Sequence, residues 1–213
     1  TGGAVGCFMF GVGATDMAAV LATGETWLQV PETLGVRWHG QLGLGVCAKD
    51  MMLKACAVLG VGGATNRVVE FVGPTIESLP HVERMTLCNM TAELGAQTGI
   101  ISPDQITAKY LRSIGTVFDE LTDWRSDPDA TFDEILEFDA SDLQPLVAVP
   151  HSPANTTPVN NIDTTKVHQA YIGACTGAKL NDLHMAAAVL HGHRVAKGSG
   201  LLLAPAAVQV TDL

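Results

Sequence analysis

Charge and aromatic rings are both scarce in this sequence. Asp, Glu, Lys and Arg make up 16% of its 213 residues, against roughly 25% in ordinary soluble domains. Phe, Trp and Tyr supply only 5%, so the core has to be built from Val, Leu, Ile, Ala and Met. Basic residues are the scarcer sign, with 12 Lys and Arg against 22 Asp and Glu and a formal charge of −10. That balance excludes nucleic acid as a partner, because binding to a phosphate backbone is carried by cations. No apolar run reaches the roughly 18 residues of a membrane span, so no membrane partner is expected. The apolar opening, residues 1–16, lacks the basic n-region of a signal peptide. Closely spaced cysteines are also missing. The five thiols at 7, 47, 56, 88 and 175 contain no C-x-x-C or C-x-x-H pair. Their odd number and wide spacing argue against a disulfide scaffold and for a reducing, cytoplasmic location. Spacing alone supplies no complete metal site.

What is present is a 47% hydrophobic chain, long enough for one large core or two small ones. Five glycines lie between positions 2 and 13. A helix with Thr15 as cap and Met17, Ala18, Val20 and Leu21 on it then runs to Gly24. Residues 26–31 and 36–42 read as short strands. Residues 48–60 put positions 51, 52, 55, 56, 58 and 59 on one broad helix face, and a Gly-rich turn leads into an alternating strand at 67–73. Helices are expected over 83–97 and from Pro103 onward, with Ser102 as N-cap. Residues 116–134 are acidic and exposed in character, and strand-like alternation resumes from 135. The polar, proline-containing stretch 151–165 is the best linker. Beyond it, a strand ending near Gly173, a helix over 180–190 and a strand near 200 read as a parallel βαβ unit. A chain that opens without Met on such an apolar segment reads as cut from a longer one, or as processed.

Several residues are candidates for chemistry. Asn89 and Glu93 lie four apart on an otherwise apolar helix, which is costly to bury unpartnered; an ordinary surface position is the alternative. Glu70 interrupts VVEFV, with Val69 and Phe71 on one strand face and Val68, Glu70 and Val72 on the other. Cys175 stands where an apolar strand ends and a helix begins, the place where open α/β sheets bind ligands. It is either a nucleophile or metal ligand, or an inert buried thiol. The glycines at 11–13 and 60–63 lack the strand-to-helix context of a phosphate loop.

The segments GVGATDMAAVLATGETWLQVPE, GVCAKDMMLKACAVLGVGGATNRVVEFVG, RMTLCNMTAELGAQTG and YIGACTGAKLNDLHMAAAVLHG, in this order, resemble the aconitase superfamily. Within it the resemblance is to the large subunit of the 3-isopropylmalate dehydratase and homoaconitase group. It implies an α/β fold of three-layer aconitase-like domains with mixed or parallel sheets. The chain would then divide into the tail of a first domain (1–32), a central domain (33–150), a linker (151–165) and the start of a further domain (166–213). The implied activity is reversible dehydration of a hydroxy polycarboxylic acid on a [4Fe-4S] cluster, completed by a small swivelling subunit. Cys175 and Thr176 match the cluster motif G-x-C-T, with Cys175 as metal ligand. Asn89 and Glu93 match N-M-x-x-E as catalytic residues, and Thr1, Glu70 and Lys179 are the expected substrate contacts. Asn89, Glu93 and Cys175 are expected on one cleft bordered by Thr1 and residues 62–65, with Glu93 withdrawn from water and held by a donor.

The sequence departs from the family pattern in places. The Asp-Ser-His motif would precede Thr1, and the C-x-x-C cluster pair would follow Leu213, so this chain alone is expected to hold no cluster. Where the family continues C-T-N-[SG]-R, this chain has Gly177 and Lys179, and Lys does not replace the forked guanidinium at a carboxylate. Ala207 stands where a serine is frequent. Two other readings stay open: a cluster-free binding or subunit-interaction module, and an enzyme using Thr1 as an N-terminal nucleophile.

Overall fold

The computed structural model describes residues 2–116 and 123–211; Thr1 and part of the acidic stretch after Gly115 therefore lie outside the described residues. The elements in chain order are α1 (Ala14–Thr23), β1 (Glu32–His39), α2 (Ala48–Leu59), β2 (Arg67–Val72), α3 (Pro74–Ser78) and α4 (His81–Asn89). A 3-10 turn (Met90–Leu94) follows α4, then β3 (Thr98–Ile100), α5 (Gln105–Ser113), β4 (Glu134–Asp139), β5 (Leu146–Ala148) and β6 (Thr156–Pro158). The chain continues with β7 (Gln169–Ile172), α6 (Leu180–Leu190), β8 (Gly200–Leu203) and α7 (Val208–Thr211). The fold is α/β with mixed sheets: a parallel sheet in the order β3-β2-β1-β4, an antiparallel pair β5-β6 and a parallel pair β7-β8.

Strand parity sorts the main sheet into two faces. Leu34, Val36 and Trp38 of β1 pair in register with Val69 and Phe71 of β2 and with Leu136 and Phe138 of β4. This face packs on Met51, Met52 and Cys56 of α2 and Leu87 and Cys88 of α4, forming the core. The Trp38 and Phe138 rings stack with centroids 4.6 Å apart. On the opposite face Glu70 is buried and accepts the Ser126 hydroxyl at 2.9 and 2.8 Å on its two oxygens. Gly35 lies beside it in register, and a Cβ there would stand 2.9 Å from the Phe132 ring. The end of the acidic excursion therefore folds back over the sheet, tied there by the exposed Ser126 hydroxyl on the buried Glu70 carboxylate. Among the described residues, no helix is long and apolar enough to cross a membrane.

Several boundaries differ from those the sequence suggests. Residues 26–31 form no strand, because none of the described residues pairs with them, and Trp27 and Val30 are exposed; β1 begins only at Glu32. Helix α1 starts at Ala14, after Gly13 rather than under a Thr15 cap, and it buries none of its residues. The N-cap of α5 is Asp104, not Ser102; its carboxylate accepts the N–H groups of Ile106 and Thr107 at 2.8 and 3.1 Å. Within 151–165, residues 156–158 pair with β5, closed by Val149 N–H donating to the Asn155 carbonyl at 2.8 Å. The prolines there punctuate a hairpin.

Candidate functional site

Helix α4 does not run on through Glu93. It ends at Asn89, tightens into the 3-10 turn and stops at Gly95, whose φ of 76° suits a residue without Cβ. A 3-10 turn winds three residues per turn instead of 3.6, so Asn89 and Glu93 lose the shared face that α-helical spacing predicts. Asn89 points out to the loop after β7, where its Nδ2 donates to Cys175 Sγ at 2.8 Å. Glu93 lies against α2. Burial pushes its carboxyl above the usual range, while a backbone N–H and the Lys49 ammonium pull it partly back. Its Oε2 is buried and has no hydrogen-bond partner among the described residues. The 62–65 turn adjoins this segment, with Ala64 N–H donating to the Leu94 carbonyl at 2.9 Å.

The loop between β7 and α6 presents Cys175 exposed, not packed in apolar surroundings. Ala174 just before it has φ 70°, a left-handed conformation that residues with a Cβ adopt only under constraint. Lys179 differs from its expected role. It is 8% exposed, and its ammonium meets Thr86 Oγ1 at 2.9 Å, the Thr176 carbonyl at 3.1 Å and Asp182 Oδ2 at 2.9 Å. Three acceptors use up its three protons, so Lys179 in this conformation offers nothing to a substrate carboxylate. Glu70 sits on the far face of the sheet from α4, bonded to Ser126. Thr1, the remaining expected substrate contact, lies outside the described residues. Sequence reasoning missed Thr86 altogether. Its signal was spacing: Thr86 and Asn89 are three apart on α4, so both face the same loop.

A cavity of about 260 Å³ adjoins Asn89, lined among others by Gly3, Met9, Phe10, Thr91 and Gly99. As for cluster ligands, the donor set is incomplete. Burial holds three of the five thiols protonated, Cys47 and Cys56 pushed up to about 11 and Cys88 to about 12, with Asp50 and Glu93 adding to the first two. No group of three His, Cys, Asp or Glu side chains among the described residues is placed to hold a metal ion. Cys175 supplies one thiolate where a four-iron cluster takes a set of them. The residues present do not fit a whole cluster, and no chemical step is assigned through one.

These features define an α/β protein whose one motif cysteine stands at a strand-to-helix turn, bonded by an amide from a facing helix. The chain belongs to the aconitase family: the family's sequence profile, described as aconitate hydratase, matches residues 1–165. Its relatives narrow the branch. It is 40% identical over 210 residues to the 3-isopropylmalate dehydratase large subunit of Desulfatibacillum aliphaticivorans, covering 99% of this chain and 50% of that one. It is 44% identical over 207 residues to 3-isopropylmalate dehydratase large subunit 1 of Pyrococcus furiosus, covering 96% and 48%. It is also 45% identical over 195 residues to a Methanosarcina mazei protein named "Probable methanogen homoaconitase large subunit", covering 92% and 49%. The chain spans about half the length of the curated relatives it matches.

Proposed function

We propose that the chain forms part of a hydro-lyase large subunit acting on a hydroxy polycarboxylic acid such as 3-isopropylmalate or homocitrate/homoaconitate. The observation that carries this reading is the Asn89–Cys175 contact, which joins two family motifs 86 positions apart at 2.8 Å. The reaction removes a hydroxyl from one carbon and a proton from its neighbour as water, then returns both. In this reading Cys175 is one thiolate ligand of a [4Fe-4S] cluster whose other ligands come from elsewhere, and Thr176 fixes the turn beside it. Completed by ligands from outside the described residues, such a cluster would supply Lewis-acid chemistry. Asn89 orients the sulfur, and Glu93, whose carboxyl burial pushes above the usual range, is the catalytic carboxyl of this reading. A small subunit completes the site. The division into 1–32, 33–150, 151–165 and 166–213 belongs to the same proposal. A cluster-free module is the second reading, favoured by one observation: the internally engaged Lys179 at a position where the family motif has arginine.

The test is turnover by this chain combined anaerobically with a segment that supplies the remaining cluster ligands and with a 3-isopropylmalate dehydratase-type small subunit, then supplied with iron and sulfide. Appearance of the unsaturated acid from 3-isopropylmalate or homocitrate is expected, and it should be lost in Cys175→Ser. Asn89→Ala should retain it at roughly one-tenth or less, the usual scale for groups that orient a ligand. No turnover of either acid, alongside an active reference large subunit, would favour the module reading.

A further inference from the structure

The segment from Gly173 to Lys179 touches α4 at two points one helical turn apart. Asn89 reaches Cys175, and Thr86 reaches Lys179. Thr86 is 3% exposed and Lys179 8%, so this second contact is closed to water. Asp182 strengthens it twice, pairing with the Lys179 ammonium at 2.9 Å and accepting the Lys179 backbone N–H at 2.9 Å. Ala178 between the two contacts is fully buried. A charged donor with all its acceptors in place and little exposure is a fastening, and it costs far more to open than a surface pair.

We propose that Lys179 and Thr86 form a latch that presses the Cys175 loop onto α4 and thereby brings the sulfur under the Asn89 amide. Lys179 is a positioning residue, and a substrate carboxylate has to find its cation outside this loop. The latch also accounts for Ala174, whose left-handed backbone is sustained by a loop pinned on its C-terminal side. This inference rests on the reading of Asn89 and Cys175 as the site, yet its test needs neither cluster nor substrate.

The experiment is alkylation of the full chain by iodoacetamide, resolved by peptide mass spectrometry. The rate at Cys175 is read against exposed Cys7, while buried Cys56 and Cys88 report an intact fold. Cys175 is exposed like Cys7, so what sets it apart is the Asn89 amide held at 2.8 Å from its sulfur, and a sulfur so engaged reacts more slowly than a free one. Thr86→Val and Lys179→Met should each raise the Cys175/Cys7 ratio roughly ten-fold, the population change that loss of a hydrogen bond to a charged group allows. The double variant should do no more than either alone, because both break one contact. Asn89→Ala removes the bond itself, so its rise should be at least as large. Lys179→Arg, which keeps the charge and brings five donors, should stay near the parent ratio. An unchanged ratio in Thr86→Val, or effects that add in the double variant, would overturn the latch. If Lys179→Met exposes Cys56 and Cys88, the milder Thr86→Val decides; exposure there too would mean a tie of the whole fold, which also overturns it. An inactive protein with the predicted alkylation pattern would sink the hydro-lyase reading and leave the latch standing.

Discussion

Replacing Arg84 with Met should lower the unfolding free energy by roughly 3 kcal/mol, the low end for removing one partner of a buried pair. Arg84 is 1% exposed. Its Nε donates to the Leu79 carbonyl at 3.1 Å, and Nη2 donates to the Glu77 carbonyl at 2.8 Å and Asp104 Oδ2 at 2.7 Å. The two carbonyls belong to the end of α3, where a helix leaves its last acceptors unsatisfied. Asp104 in turn caps α5. Although burial alone would raise its carboxyl, Arg84 and the Thr107 and Ile106 N–H groups hold it below the usual range. One guanidinium therefore fastens α3, α4 and α5 together. Met matches the aliphatic stem, so the loss would be polar and not a cavity. The estimate stays at the low end because the Asp104 side chain is 37% exposed and water can take over part of its charge. Equilibrium urea unfolding is the measurement. A loss below about 1 kcal/mol, the scale of a surface pair, would mean that Arg84 is a solvated ion pair in solution.

The second large effect is an acid sensitivity traceable to His81. Burial, with a further contribution from Arg84 and a partial offset by Asp104, pushes this imidazole down to about 4 from an ordinary value of 6.5. The native state therefore refuses a proton that the unfolded chain accepts between those two values. Stability from this group is complete above pH 6.5 and is lost as pH falls toward 4. The difference is worth roughly 3 kcal/mol over that window. The ring stacks on Tyr110 with centroids 4.1 Å apart, and its Nδ1 has no partner among the described residues, so His81→Phe keeps the stack and orphans nothing. Relative to the parent, His81→Phe should gain roughly 3 kcal/mol between neutral pH and pH 4. Stability curves that run parallel across that range would show that His81 does not carry the effect. Because Arg84 helps hold His81 neutral, the Arg84→Met and His81→Phe effects should not add.

The elements that can be read from sequence are those whose side-chain period matches their burial. Helix α2 buries Met51, Met52, Ala55 and Cys56 on the face its spacing predicts, and β2 divides at Glu70 as strand alternation requires. The βαβ unit at 169–203 follows from two apolar runs and a helix between them. What stays hidden depends on partners. Strand β3 has three residues and exists because β2 lies beside it; residues 26–31 alternate well and pair with none of the described residues. In the site, Asn89 and Cys175 were legible through their motifs, but spacing could not show that α4 tightens after Asn89 and turns Glu93 toward α2. Lys179 looks in sequence like a cation for substrate. Only the position of Thr86, 93 residues away, reveals that its charge is spent internally.

The order of the main sheet also bears on how the chain reaches this state. Strand β1 is central; its partner β2 lies 35 positions on, as in Val36 beside Phe71, and its other partner β4 lies 100 positions on, as in Arg37 beside Glu137. Closing the longer loop costs only about 0.9 kcal/mol more chain entropy than the shorter one, so thermodynamics barely separates the two pairings. Kinetics separates them more strongly, since every residue of α2, α4 and α5 intervenes before β4 and rates fall as contacts become less local. The β1–β2 pair with its helices should condense first, and β4, an edge strand with half-exposed side chains, should dock onto a formed surface. In amide hydrogen exchange the N–H groups that join β4 to β1 should then open at lower free energy than those between β1 and β2.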